Sequence, residues 1–263
     1  MAMIQLVVCG WLAVALVMAV LWGVQRRTGD AGIVDAAWAG GIGALAVFYS
    51  LAGDGLPARR LLIAAMAGAW SLRLALYILR DRVLRGEEDG RYQALRESWG
   101  AGFEGRMFWF FQAQGLLSLL FSLPALVAMS SHRAALGPVD AAAVAVWLVA
   151  VTGETLADRQ LAAFRADPAN RGTTCRKGLW RYSRHPNYFF EWLHWWAYAV
   201  AAIGAAAWWL AAAAPLVMLV FILFVTGIPP TEARALRSRG DDYRDYQRTT
   251  SAFIPWFPKR VRE

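Results

Sequence analysis

Charge is scarce in this chain of 263 residues: only 17% of positions are Asp, Glu, Lys or Arg. A soluble domain of this size keeps roughly a quarter of its residues charged to cover its surface, so a water-exposed globular or disordered chain is excluded. Cysteine is nearly absent. Cys9 lies in an apolar run and Cys175 in a basic loop, a pair that builds neither a disulfide framework nor a metal-ligand spacing, so no metal site is expected. No Gly-x-Gly-x-x-Gly follows a strand and no P-loop occurs, which excludes a Rossmann domain and an ATP-driven engine. Internal repeats and low-complexity tracts are missing too, apart from alanine runs that suit close helix packing.

What is present is apolar. Hydrophobic residues make up 58% of the chain, 14 of its residues are tryptophan, and mean hydropathy is +0.37, so lipid is the main solvent. About 20 apolar residues cross a hydrocarbon core, and such stretches are predicted at Met3–Val24, Ile33–Ala52, Leu61–Leu79, Met107–Met129 and Val139–Leu156. The last stretch, Tyr188–Ile228, would be about 60 Å long as one helix and must fold back near Gly204. The expectation is an all-α polytopic membrane protein with seven transmembrane helices. The first run has no positive leader and no small-residue cleavage site, and reads as a retained helix.

Lys and Arg positions orient the spans, because cytoplasmic loops collect them. With the amino terminus outside and the carboxyl terminus cytoplasmic, 23 of the 27 basic residues fall on one side, against Arg59, Arg60 and Arg133 on the other; Arg73 lies within a span. The net charge of +8 therefore reports topology and an anionic ligand, and nucleic acid is not an expected partner. Residues 1–263 are expected to form a single membrane domain, with spans one to three and the substrate-side residues in 1–106 and most of the cofactor site in 107–263.

Ionisable groups inside spans are costly, so each is a functional candidate. Asp35 opens span two, either as an interfacial carboxylate paired with Arg26 or Arg27, or as a protonated donor to a substrate oxygen. Arg73 lies in span three with Tyr77 one turn on, and its permanent charge needs a buried anion such as Asp35 or Glu154, or a wet cavity facing a ligand. Glu154 and Asp158, four apart near the end of span five, share one helix face and are followed by Arg165. They are either solvated helix-end charges or acceptors for arginines or ribose hydroxyls. The densest run is Cys175 to Glu191. Pro186 suits the first position of span six, so the free N–H groups of that helix face Lys177, Arg181, Arg184 and His185, an anion site unless the loop only touches acidic lipid. Asn187 and Glu191, one turn apart, offer an amide and a carboxylate that read a neutral polar head such as a carboxamide. Gln112, Gln114 and His194 read as groups bonding neighbouring helices. The tail from Thr231 to Tyr246 is expected to cover the site, with Tyr243 and Tyr246 free to stack on a flat ring.

With Arg184-His185-Pro186-Asn187-Tyr188 in place, the sequence resembles the membrane-bound steroid 5-alpha-reductase family, in its bacterial branch. The likeness runs through Trp70-Ser-Leu-Arg-Leu74, Gly86-Glu-Glu-Asp-Gly-Arg-Tyr92, Glu154 to Gln160, Gly178 to Glu191, Asp242-Tyr-Arg-Asp-Tyr246 and Phe253-Ile-Pro-Trp-Phe257. The resemblance implies NADPH in a cytoplasm-facing pocket, an apolar ketone or steroid entering from the bilayer, and reduction of the carbon–carbon double bond of a conjugated ketone in a bacterial cell membrane. By position it implies Asp35 as donor to the carbonyl oxygen. Arg73, Tyr77, Glu154, Asp158, Arg165, Lys177, Tyr182, Arg184, His185, Asn187, Glu191, Tyr243 and Tyr246 fall at or beside its cofactor positions. The animal enzymes carry a tyrosine where this chain has Trp70, whose indole N–H donates a hydrogen bond but supplies no proton, leaving water or Tyr92 as the second acid. An S-adenosylmethionine-dependent methyltransferase shares the Arg-His-Pro run, and a small transporter gated by Arg73 and Asp35 is the non-enzymatic alternative.

Overall fold

A computed structural model describes residues 1–80 and 90–259; residues 86–89 of the resemblance motif, Arg82 and Arg85 of its loop, and Arg260 and Arg262 of the tail lie outside them. The described residues form helices and turns, with no strand. In chain order the helices are α1 (Met3–Thr28), α2 (Ile33–Ala52), α3 (Pro57–Ile78), α4 (Gly90–Trp99), α5 (Phe103–Met129), α6 (Pro138–Ala166), α7 (Pro186–Ala201), α8 (Trp208–Val220), α9 (Ile228–Arg239) and α10 (Asp241–Thr249).

Six segments among the described residues are long and apolar enough to cross a membrane: Met3–Thr28, Ile33–Ala52, Pro57–Ile78, Gly90–Met129, Pro138–Ala166 and Trp208–Arg239. The chain is an integral membrane protein. Seven spans are expected from the sequence. The helix that falls short is α7, whose 16 residues rise about 24 Å against a hydrocarbon core of about 30 Å. The expected fold-back is present. Helix α7 stops at Ala201, and Gly204 takes φ +88°, a left-handed turn that a side chain would strain.

The chain divides into two compact units. The first comprises residues Met1–Gly137 and Ala202–Ala211; the second comprises Pro138–Ala201 and Ala212–Glu263. Helix α5 packs on α1 and α2, so it belongs to the first unit.

In the first unit α2 is the central helix, burying Val34, Ile42, Leu45 and Tyr49 against Ile63, Met66 and Trp70 of α3 and Met107, Phe111 and Leu119 of α5. Leu12, Leu16 and Val20 of α1 point outward, as lipid contact requires. Arg59, Arg60 and Arg133 are all tied to backbone. Arg59, wholly buried, donates to the carbonyls of Ser131 (3.3 Å), Arg133 (2.8 Å) and Ala135 (2.6 Å). Arg60 donates to the carbonyl of Gly53, and Arg133 to that of Ile203. Their placement follows from the helix ends and loops they close.

The second unit rests on α6 packed along α7. The Phe190 ring of α7 lies so close to α6 that a Cβ on Gly153 would stand 2.4 Å from it, and only glycine fits there. Beyond α8 a wide turn over Phe221–Val225 breaks the last apolar run before the polar α9.

Candidate functional site

In the first unit Asp35 lies in the opening turn of α2 and is 8% exposed. Tyr92 Oη donates to its Oδ1 at 2.9 Å and Arg91 Nη2 to its Oδ2 at 2.7 Å. Arg96, one turn further along α4, donates to the Gly29 carbonyl at 2.8 Å, so α4 is strapped across the α1–α2 turn. The Tyr92 ring is buried edge-on against Phe110. This corrects the expected partner of Asp35. Arg26 instead lies over the Trp22 ring with Glu104 at 3.9 Å, because the last turn of α1 faces α5, and Arg27 is exposed. Two of the sequence candidates, Asp35 and Tyr92, are thereby joined although 57 residues apart. Trp70 is fully buried in α3, Arg73 half-buried one turn later, and Tyr77 exposed.

In the second unit the candidates fall into two groups. The first lines the α6–α7 face. Glu154 and Asp158 are 4% and 8% exposed on α6, and Asp158 Oδ1 accepts from Asn187 Nδ2 of α7 at 3.3 Å. Asn187 Oδ1 is buried and has no hydrogen-bond partner among the described residues. Glu191 accepts from Trp195 Nε1 at 3.0 Å, and His194 Nε2 meets Tyr198 Oη at 2.9 Å. The loop that leads into α7 is pinned to α6: Trp180 Nε1 donates to the Ala157 carbonyl at 2.9 Å, and the Leu179 N–H to Gln160 Oε1 at 2.8 Å. On that loop Lys177 is exposed, as is Arg165 at the end of α6. Burial pushes the Cys175 thiol up from its ordinary range, against the pull of Lys177, Arg165 and Arg239, so three cations surround this loop.

The second group closes on Glu232, a residue not singled out from the sequence. Its Oε1 accepts from Arg184 Nε at 2.7 Å and Tyr243 Oη at 3.3 Å, with His185 Nε2 at 3.2 Å, and its Oε2 accepts from Gln247 at 2.7 Å. Arg184 Nη1 also donates to the carbonyls of Gln247 (3.1 Å) and Thr250 (2.6 Å). Tyr246 Oη donates to the carbonyls of Trp180 and Ser183. Both tail tyrosines are therefore buried braces of α10 and do not lie open to stack on a ring. Burial lowers the His185 pKa below its ordinary value despite the Glu232 carboxylate beside it, and the ring, stacked on Tyr188, is neutral at pH 7. Tyr182 is half-buried edge-on to Phe257. Glu232 is the fifth residue of α9, past its first turn, and carries no local sequence sign of this role.

The family described as proteins of unknown function, DUF1295, matches residues 21–250. The chain belongs to the DUF1295 family. No curated protein and no solved structure matches it. The DUF1295 match spans both units and takes in Asp35, Tyr92, the α6–α7 face and the Glu232 cluster.

Proposed function

We propose that this protein is an NADPH-dependent membrane reductase that saturates the carbon–carbon double bond of a conjugated, apolar ketone, as its resemblance to the steroid 5-alpha-reductases implies. The observation that carries the reading is the α6–α7 face. Asn187 Oδ1 is a buried acceptor with no partner among the described residues, set beside the buried carboxylates of Asp158 and Glu154. A buried acceptor left unmade costs about 1–3 kcal/mol, and a carboxamide N–H of a nicotinamide would satisfy it. The carboxylates suit ribose hydroxyls, and Arg165 and Lys177 suit phosphates. The residues present thus fit a dinucleotide.

Bound NADPH supplies a hydride. The protein's part is to stabilise the negative charge that develops on the ketone oxygen as the β carbon receives it, and fixed O–H donors in a dry setting do this. Tyr92 is the proposed O–H donor, its hydroxyl turning from Asp35 to the ketone oxygen, and Asp35, which accepts from Tyr92 and Arg91 in this structure, positions it. The α carbon then takes a proton from Tyr92 or water. Trp70, fully buried, supports the wall of α3 without acting as an acid.

The proposed topology has seven spans, with α7 as a short seventh, the amino terminus outside and the carboxyl terminus in the cytoplasm of a bacterial cell. Support comes from the 23 basic residues that then share the cytoplasmic side. NADPH fluorescence on the purified protein, compared with S-adenosylmethionine in a parallel thermal titration, tests the reading. Binding of NADPH alone, followed by its oxidation when a conjugated steroid ketone is added, is the expected result; stabilisation by S-adenosylmethionine alone would replace the reductase with a methyltransferase.

A further inference from the structure

The segment that follows α10 forms a cavity of about 470 Å³ that none of the roles above uses. Its lining includes Arg184, Arg248 and Lys259 and no acidic residue. Arg184 Nε and Nη1 donate to Glu232 and two carbonyls, so much of its charge is taken up within the protein. Arg248 touches Asp245 but is 73% exposed, and Lys259 is exposed. The other wall is apolar and open: Ile254, Trp256 and Phe257 are 59%, 70% and 74% exposed.

Three large apolar side chains exposed in a non-helical stretch, past the end of every candidate span, are not accounted for by lipid contact along a helix. Nor is the stretch a loose end. Its backbone is pinned where Thr250 N–H donates to the Tyr246 carbonyl, Trp256 N–H to Tyr182 (2.8 Å) and Lys259 N–H to Thr249 (2.8 Å). The aromatic rings are thus held outward by a fixed backbone, beside two exposed cations.

We propose that this cavity binds the headgroup of an anionic phospholipid, with Arg248 and Lys259 meeting its phosphate and Ile254, Trp256 and Phe257 entering the headgroup layer. Aromatic rings settle at that depth, and each cation near an acidic surface adds attraction. The charge of the wall selects an acidic lipid over a zwitterionic one. This inference rests on the membrane character of the chain and is independent of the reductase reading.

The test uses the full chain purified in a neutral detergent, with thermal unfolding followed as short-chain phosphatidylglycerol, short-chain phosphatidylcholine or inorganic phosphate is added. Phosphatidylglycerol is expected to raise Tm by roughly 2–4 °C, with no rise for the other two. The double variant Arg248→Gln/Lys259→Gln should lose most of that shift, and Trp256→Ala about half; all of these side chains are exposed, so the lipid-free Tm should stay near the wild-type value. Equal shifts with phosphatidylcholine, a shift reproduced by inorganic phosphate alone, or a double variant that responds like wild type would each overturn the proposal.

Discussion

Arg184 and Asn187 stand three residues apart in the same basic run, and the fold uses them in opposite ways. The charged residue is tied to the protein itself, its Nε and Nη1 donating to Glu232 and two backbone carbonyls. The neutral amide keeps a buried oxygen that no described residue satisfies. Charge density pointed to the anion site, but a cation already paired with a carboxylate has less left for a ligand. Unsatisfied, buried hydrogen-bonding capacity is the better pointer, because its cost persists until something binds.

This contrast is open to direct attack. The largest effect is expected from Glu232→Ala, which leaves Arg184 and His185 buried around a missing carboxylate and should cost on the order of 3 kcal/mol. A thermal melt of that variant within a degree of wild type would show that the cluster is no brace. Next comes Asp35→Asn, which should preserve NADPH binding yet slow turnover on the order of 100-fold, because the carboxylate that positions the Tyr92 hydroxyl is lost. Steady-state kinetics decide it, and an unchanged kcat removes Asp35 from the chemistry.

Arg165→Ala should weaken NADPH by about tenfold and leave NADH nearly unaffected, as befits an exposed cation meeting the 2′-phosphate that NADH lacks. Equal losses with the two nucleotides would argue against that contact. The smallest effect concerns pH. His185 is held neutral in the fold with its pKa below the unfolded value of about 6.5, so the unfolded chain binds the extra proton first as pH falls. Stability should therefore be constant above about pH 6.5 and decline below it, by at most about 1.4 kcal/mol per pH unit, and His185→Gln should flatten this slope. A wild-type Tm that rises on acidification would reverse the sign and refute the neutral ring.

Much of the fold was legible because membrane helices announce themselves by composition. Helix α2 begins at Ile33 and ends at Ala52 as the apolar run alone indicated, and the turn at Gly204 was demanded by a stretch too long for one crossing. Helix α6 runs ten residues past the predicted end at Leu156, because a polar extension with Arg159 and Gln160 stays helical once outside the apolar run. The site was less legible. Glu154 and Asp158 share a buried face as their spacing required, since four residues are one turn. The partners of Asp35 and Glu232 lie 47 to 57 residues away along the chain for Tyr92, Arg91, Arg184 and His185, and no local rule links residues at that distance. The tail tyrosines look like stacking platforms in sequence, and only the path of α10 reveals that their hydroxyls close on Glu232 and on carbonyls.

The most direct measurement is a thermal titration of the wild-type protein and Asn187→Ala with NADPH. At a concentration about a hundredfold above Kd, the cofactor should stabilise wild type by about 2.7 kcal/mol, seen as a rise in Tm, and the variant should lose most of that rise at the same concentration. A wild-type Tm that NADPH does not move, or a variant that responds in full, would contradict the assignment of the α6–α7 face as the dinucleotide site.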